Sequence, residues 1–286
     1  MLSFNIDQWD FESVINSTST LQRFMPFNEK SIEALSGPYL WFSLIENFND
    51  PFEDQFEYVF TRDPKDIIDS VEFTGYSGWP SDVYRKMMWH EFQQDPEGFY
   101  HKWETIFIKT YEQAASDAKY AYCCFFSEKE GPRTPQEIAL MWSHYGNGLR
   151  GMRVTYDTKR LIGSMDRPVR ATFINYSKTP RKIKLAEEFV GITGPKGPRW
   201  SEDLFNEDPS TKSESWKYES EFRIISEIAG SISFDPSSIL SVDLGDKMPD
   251  SQKRVVSLLM QQVNPNARIN IAKVRPRSFD IDYIPH

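Results

Sequence analysis

The chain has 286 residues, of which 39% are hydrophobic and 15% aromatic, so it can bury a large core without disulfide or metal staples and is too apolar to be disordered. A formal charge of −9 repels polyanions over the surface as a whole and argues against a duplex-DNA-binding protein. No run approaches the roughly 18 apolar residues that cross a bilayer, and the acidic start MLSFNIDQWDFES is unlike an export signal, so a cytoplasmic protein without membrane contact is expected.

In chain order, LQRFMPF, NEKSIEALSG and PYLWFSLI predict strand, helix and strand over residues 21–45, with Asn28 capping the helix and Gly37 ending it. The block 54–118 has apolar and aromatic residues at three- and four-residue spacings, among them Trp103, Phe107 and Tyr111, and is expected to be a helical insertion in a single domain spanning 1–286. KYAYCCFFS (119–127) predicts a buried strand that sends Cys123 and Cys124 to opposite faces, as free thiols in a reducing compartment. PQEIALMWSHYG predicts a helix with Pro135 in its first turn, and LRGMRVTYD and RPVRATFINYS predict strands. The Gly- and Pro-rich stretch 191–213 reads as a long loop. SWKYESEFRIISE (215–227) and ILSVDLG predict strands, DSQKRVVSLLMQQV a helix, and ARINIAKV and SFDIDYI two closing strands. Strands scattered among helices without strict alternation point to the α+β class. The basic stretches KTPRKIK (178–184) and RINIAKVRPR (268–277) are read as solvated faces.

Three segments carry groups suited to chemistry. Asn49-Asp50-Pro51 follows a strand, where Asx side chains cap free amides or, alternatively, Asp50 and Glu53 line the lip of a cleft. His144 and Tyr145 end a helix, where an imidazolium is favoured by the helix dipole and a half-buried structural histidine is equally compatible. In WKYESEFR, strand alternation would put Glu219, Glu221 and Arg223 on one face, either a solvated outer face or a cleft in which a carboxylate stabilises developing positive charge. The histidines and cysteines show no metal-ligand spacing, so no metal site is expected.

LWFSLIENFNDPFE, MWSHYGNGLRGMRV, WKYESEFRII and ILSVDLGDKMPDSQKRVVSLL, in that order, resemble the motifs of a bacterial family known as domain of unknown function 2971, over roughly residues 20–280. More distantly, strand, helix, strand and a late Glu-x-Glu strand are similar to ADP-ribosyltransferases. That resemblance implies mixed or antiparallel sheets around a central cleft, with NAD as substrate. Carried over residue by residue, Arg23 would pair with the pyrophosphate, Ser43 would flank nicotinamide, and Glu221 would stabilise the oxocarbenium with Glu219 beside it. Trp41 or Tyr145 would stack on the nicotinamide or adenine ring, and Asn49, Asp50 and His144 would complete the NAD site. The implied function is a mono-ADP-ribosyltransferase-like toxin or phage-defence effector that modifies RNA, DNA or protein, with a neutralising partner protein as one candidate partner that the sequence does not itself give. The alternatives are a metal-dependent nuclease built from Asp50, Glu53, Glu219 and Glu221, and a non-catalytic protein-binding module.

Overall fold

A computed structural model describes residues 11–53, 55–75, 80–117, 120–128, 133–194 and 211–286. They fall into two compact units, one formed by Met1–Asn49, Tyr120–Tyr176 and Glu214–His286, the other by Asp50–Lys119 and Ser177–Ser213. No helix among the described residues is long and apolar enough to cross a membrane.

The first unit is built on an open mixed sheet. It begins with a short helix, α1 (Phe11–Asn16), followed by β1 (Thr20–Met25), α2 (Glu29–Ser36) and β2 (Tyr39–Leu44). Asn28 and Ser31 exchange side-chain and backbone hydrogen bonds in a capping box, and Gly37 closes α2, as the punctuation of the sequence predicts. β4 (Ala121–Ser127) is antiparallel to β10 (Glu221–Ser226) along one edge. Its other edge meets the start of β1 through Phe126 and Ser127, and the end of β2 through Ala121 and Tyr122. The sheet therefore forks at β4. One branch runs from β1 to β5 (Met152–Asp157), β12 (Ile239–Gly245), β13 (Arg268–Val274) and β14 (Ile281–Pro285); the other runs from β2 to β11 (Gly230–Ser233). Beyond β10 lies β6 (Arg170–Phe173). The pair β12 and β13 is parallel, joined by helix α9 (Asp250–Val263), because parallel neighbours need a crossover of a dozen or more residues.

Both faces of this sheet are covered. One carries the larger core, with Leu21, Cys123, Phe125, Val154, Tyr156, Phe222 and Ile224. The other carries Phe24 and Phe126 under Met141 and Trp142 of α6 (Pro135–His144). Cys123 and Cys124 do point to opposite faces, since they lie across from Ile224 and Arg223 in turn. α6 starts with a capping box between Thr134 and Glu137 around Pro135. It ends in a run of left-handed residues, Asn147, Gly148 and Leu149, that returns the chain to β5. α7 (Thr158–Gly163) follows β5, capped by Asp157.

The loop after α6 is packed backbone to backbone. Gly151 donates to the Gly146 carbonyl, and Gly245 to the Gly151 carbonyl, at 2.9 and 3.0 Å. A methyl group on Gly151 would overlap the Met25 carbonyl oxygen and crowd the Gly146 carbonyl. Gly151→Ala is therefore expected to lower stability by about 1–3 kcal/mol, as overpacking against immobile neighbours does. Gly163→Ala, where a methyl meets nothing within 4 Å, should leave denaturant midpoints within about 0.5 kcal/mol of the parent.

The second unit holds α3 (Pro64–Thr74), α4 (Ser81–Gln94), α5 (Pro96–Asp117) and α8 (Leu185–Thr193), with β3 (Phe56–Val59) parallel to β8 (Arg181–Lys184). Its core is aromatic, with Phe99, Trp103 and Tyr111 buried and Phe107 stacked on Phe189 at 4.4 Å. The described residues of the expected insertion at 54–118 form α3, α4 and α5 besides β3, and they belong to the same unit as α8, β8 and β9 (Thr211–Ser213).

Three expectations from the sequence need correction. Residues 167–177 form two strands, β6 and β7 (Asn175–Ser177), not one. The supposed long loop begins inside α8 and ends in β9 (Thr211–Ser213), while 195–210 lie outside the described residues. The supposed strand 215–227 is a 3-10 turn over Glu214–Glu219 followed by β10, and Ser220 between them has φ 41°. Alternation does not run through a left-handed residue, so Glu219 does not share a strand face with Glu221 and Arg223.

Candidate functional site

The break at Ser220 gives the two acids different surroundings. Glu221 and Arg223 remain two apart on β10 and are paired, Nε to Oε1, at 2.5 Å. Both are buried, at 4% and 0% exposure. The guanidinium lies over the rings of Phe48 and Tyr122, at 5.1 and 5.8 Å. Cys124 lies across from it on β4, and burial, with the Glu221 charge adding, holds that thiol well above its ordinary pKa. The Glu221 carboxylate is thus engaged in a buried ion pair with Arg223, with the Cys124 thiol also hydrogen-bonded to it.

Glu219, also 4% exposed, accepts a hydrogen bond from the Tyr145 hydroxyl. Asn49 Nδ2 donates to that hydroxyl at 3.4 Å. Next to them Nδ1 of the exposed His144 lies 2.8 Å from the hydroxyl of Tyr218, whose ring is edge-on to the imidazole. α6 supplies His144 and, one residue beyond its end, Tyr145; the 3-10 turn supplies Tyr218 and Glu219. Tyr145 and Tyr218 pack on the cluster of Phe24, Phe126 and Trp142, which fixes the floor beneath the acid. The arrangement is a buried carboxylate roofed by a phenol, with an exposed imidazole and amide at the rim.

Burial, then the Glu219 charge, pushes the Tyr145 phenol far above its ordinary pKa, so it stays a proton donor to Glu219. Burial does the same to Tyr156 in the sheet core. A tyrosine whose folded pKa is raised stabilises the protein fully below the unfolded value of about 10, and that contribution is lost as pH rises beyond it. Stability is therefore expected to fall above pH 10, by up to roughly 1.4 kcal/mol per pH unit for Tyr156, and Tyr156→Phe should flatten that limb in urea titrations.

The structure brings together Asn49, His144, Tyr145 and Glu219 of the residues expected from the sequence. Ser43 lies across from Tyr122 and so shares the face of Glu221, and Trp41, two residues earlier, is 55% exposed on that strand. Arg23 does not join them. Gln22 lies across from Phe126, which lies across from Glu221. Arg23 is therefore on the opposite face of the sheet, across from Val154. Asp50 belongs to the second unit and is buried in an Asx turn, its Oδ1 accepting from the Phe52 amide at 2.9 Å, which is the capping use of that residue. No three His, Cys, Asp or Glu side chains among the described residues converge as a ligand set for a metal ion.

Sequence reasoning passed over a second polar cluster. Arg153 makes a fork to Asp243, at 2.8 and 2.7 Å, and donates to Gln22, which donates to Glu128. Asn270 donates to the other Asp243 oxygen, and the Tyr283 ring lies 3.9 Å from the guanidinium. The signal was partial: a charge in ILSVDLG, an otherwise largely apolar strand, requires a partner of the opposite sign once buried, whereas Arg153 stands at an alternating polar position of MRVTYD and does not stand out.

The profile of a protein family described as protein of unknown function (DUF2971) matches residues 141–224. That stretch runs from α6 to β10 and contains His144, Tyr145, Tyr218, Glu219, Glu221 and Arg223. It supports the resemblance to that family over this part of the chain. Neither a curated protein nor a solved structure matches the chain.

Proposed function

We propose that this protein cleaves the nicotinamide–ribose bond of NAD and transfers ADP-ribose to a macromolecular acceptor, with Glu219 as the acid that makes the step possible. The observation that carries the reading is the Glu219 carboxylate held by the Tyr145 hydroxyl beneath exposed His144 and Asn49. In the step, the bond from ribose C1′ to the nicotinamide nitrogen breaks and nicotinamide leaves with the electron pair. The ribose becomes oxocarbenium-like, and an acceptor oxygen or nitrogen forms the new bond to C1′ while its proton passes to solvent water. A preorganised carboxylate in a site of low dielectric lowers the energy of that cation. Tyr145 holds the carboxylate in place, and the exposed Trp41 offers a ring for stacking.

Glu219 replaces Glu221 in this scheme because the Glu221 carboxylate is bound to Arg223. Arg23 has no part in it, since it lies on the other face of the sheet. A toxin or phage-defence role fits such an activity, which drains NAD or disables its target. The test is incubation of the purified protein with NAD labelled on the adenylate phosphate, in the presence of a cell lysate. Release of nicotinamide together with label on RNA, DNA or protein would establish the reaction and the acceptor class. No nicotinamide release at millimolar NAD, with and without lysate, would remove the reading.

A further inference from the structure

We infer that Arg133 is a positioning residue for Glu219, acting by pinning the left-handed peptide at Ser220. The inference rests on the reading of Glu219 as the functional acid, but its geometry stands apart from any reaction. Ser220 is a non-glycine residue at φ 41°, directly between the two acids, a conformation that persists only where the surroundings enforce it. Those surroundings are specific. The Ser220 carbonyl accepts from both the amide and the hydroxyl of Ser127, each at 3.0 Å. Arg133 donates to the Ser220 hydroxyl, and its Nε and Nη2 reach the Ser127 carbonyl at 3.3 and 3.2 Å.

One guanidinium thus clamps the end of β4 to the left-handed residue that precedes β10. It is held there in turn. The Arg133 side chain is only 6% exposed, its guanidinium lies 5.7 Å from the centre of the Phe126 ring, and Glu137 is 3.9 Å away on the helix that carries His144. The fork matters because a planar group reaches a carbonyl and a hydroxyl together, which an ammonium does with less fixed geometry. With Ser220 left-handed, Glu219 faces Tyr145 while Glu221 faces Arg223. Were Ser220 to relax into the extended region, the strand would lengthen by one turn of its pleat and Glu219 would swing toward the face of Glu221.

The test reads Glu219 through its partner, without NAD. In protein labelled with 3-fluorotyrosine, the fluorine resonance of Tyr145 is assigned by its loss in Tyr145→Phe and followed with pH. Arg133→Ala is expected to move that resonance and to bring its titration to lower pH, because Glu219 no longer faces the phenol. Ser220→Gly in the Arg133→Ala background is expected to restore both, because glycine holds a positive φ without the clamp. Nicotinamide release should follow the same pattern, with kcat down about tenfold or more in Arg133→Ala, KM little changed, and recovery with glycine. An unchanged Tyr145 resonance in Arg133→Ala would overturn the inference, as would a change that glycine does not reverse. If Arg133→Ala does not fold, Arg133→Lys is read in the same way, since it keeps the charge and loses the fork. If the fluorine results hold and the parent protein releases no nicotinamide, the clamp stands and the proposed reaction fails.

Discussion

Glu221→Gln should destabilise the protein by about 3–5 kcal/mol, because it leaves the fully buried Arg223 guanidinium without its counter-charge. For a chain of this size that is a fall in Tm on the order of 10 °C. The rings of Phe48 and Tyr122 beside the guanidinium offset part of the loss. A control separates the pair from the position. Replacing both partners with apolar residues, Glu221→Leu with Arg223→Met, removes two desolvated charges together and should recover most of the stability. If the single variant melts like the parent, Glu221 is not a structural ion-pair partner and becomes available again as the acid of the site.

Glu219→Gln should behave in the opposite way. The amide oxygen still accepts from the Tyr145 hydroxyl, and the volume is kept, so the melting temperature should stay within a few degrees of the parent. The negative charge is gone, and stabilisation of an oxocarbenium depends on it. Nicotinamide release is expected to fall by about a hundredfold or more, in line with loss of one preorganised electrostatic group. Since that group acts on the transition state more than on bound NAD, the loss should appear in kcat with KM little altered. Equal rates for Glu219→Gln and the parent would mean that the buried carboxylate is a structural acceptor for Tyr145 and nothing more.

The contrast between these neighbours shows where a sequence stops speaking. α2, β12 and α9 were legible because capping residues, glycine and alternating apolar positions are local signals, and the structure has those elements within a residue or two of their expected bounds. The pairing of His144 and Tyr145 at the end of α6 was legible for the same reason. The fate of Glu-x-Glu was not. Its reading assumed an unbroken strand, and the left-handed conformation of Ser220 is imposed by Arg133 and Ser127, more than 80 residues earlier in the chain. Arg23 is a second case. Its position on β1 was correct, but the face it occupies relative to Glu221 depends on β4 lying between the two strands, a non-local pairing that no local pattern carries.

The fork of the sheet at β4 has a practical corollary for anyone who would express the family-matched stretch alone. Within residues 141–224, β5 and β10 are kept apart in the sheet by β1 and β4, which both lie outside that range. A fragment cut at those limits would leave β5 without either neighbour, β1 or β12, and β10 with β6 alone, giving open edges that invite self-association. Such a truncation is expected to self-associate more than the full chain does in light scattering at equal concentration, because the family-matched motif and the strands that pair with it are different stretches of this polypeptide.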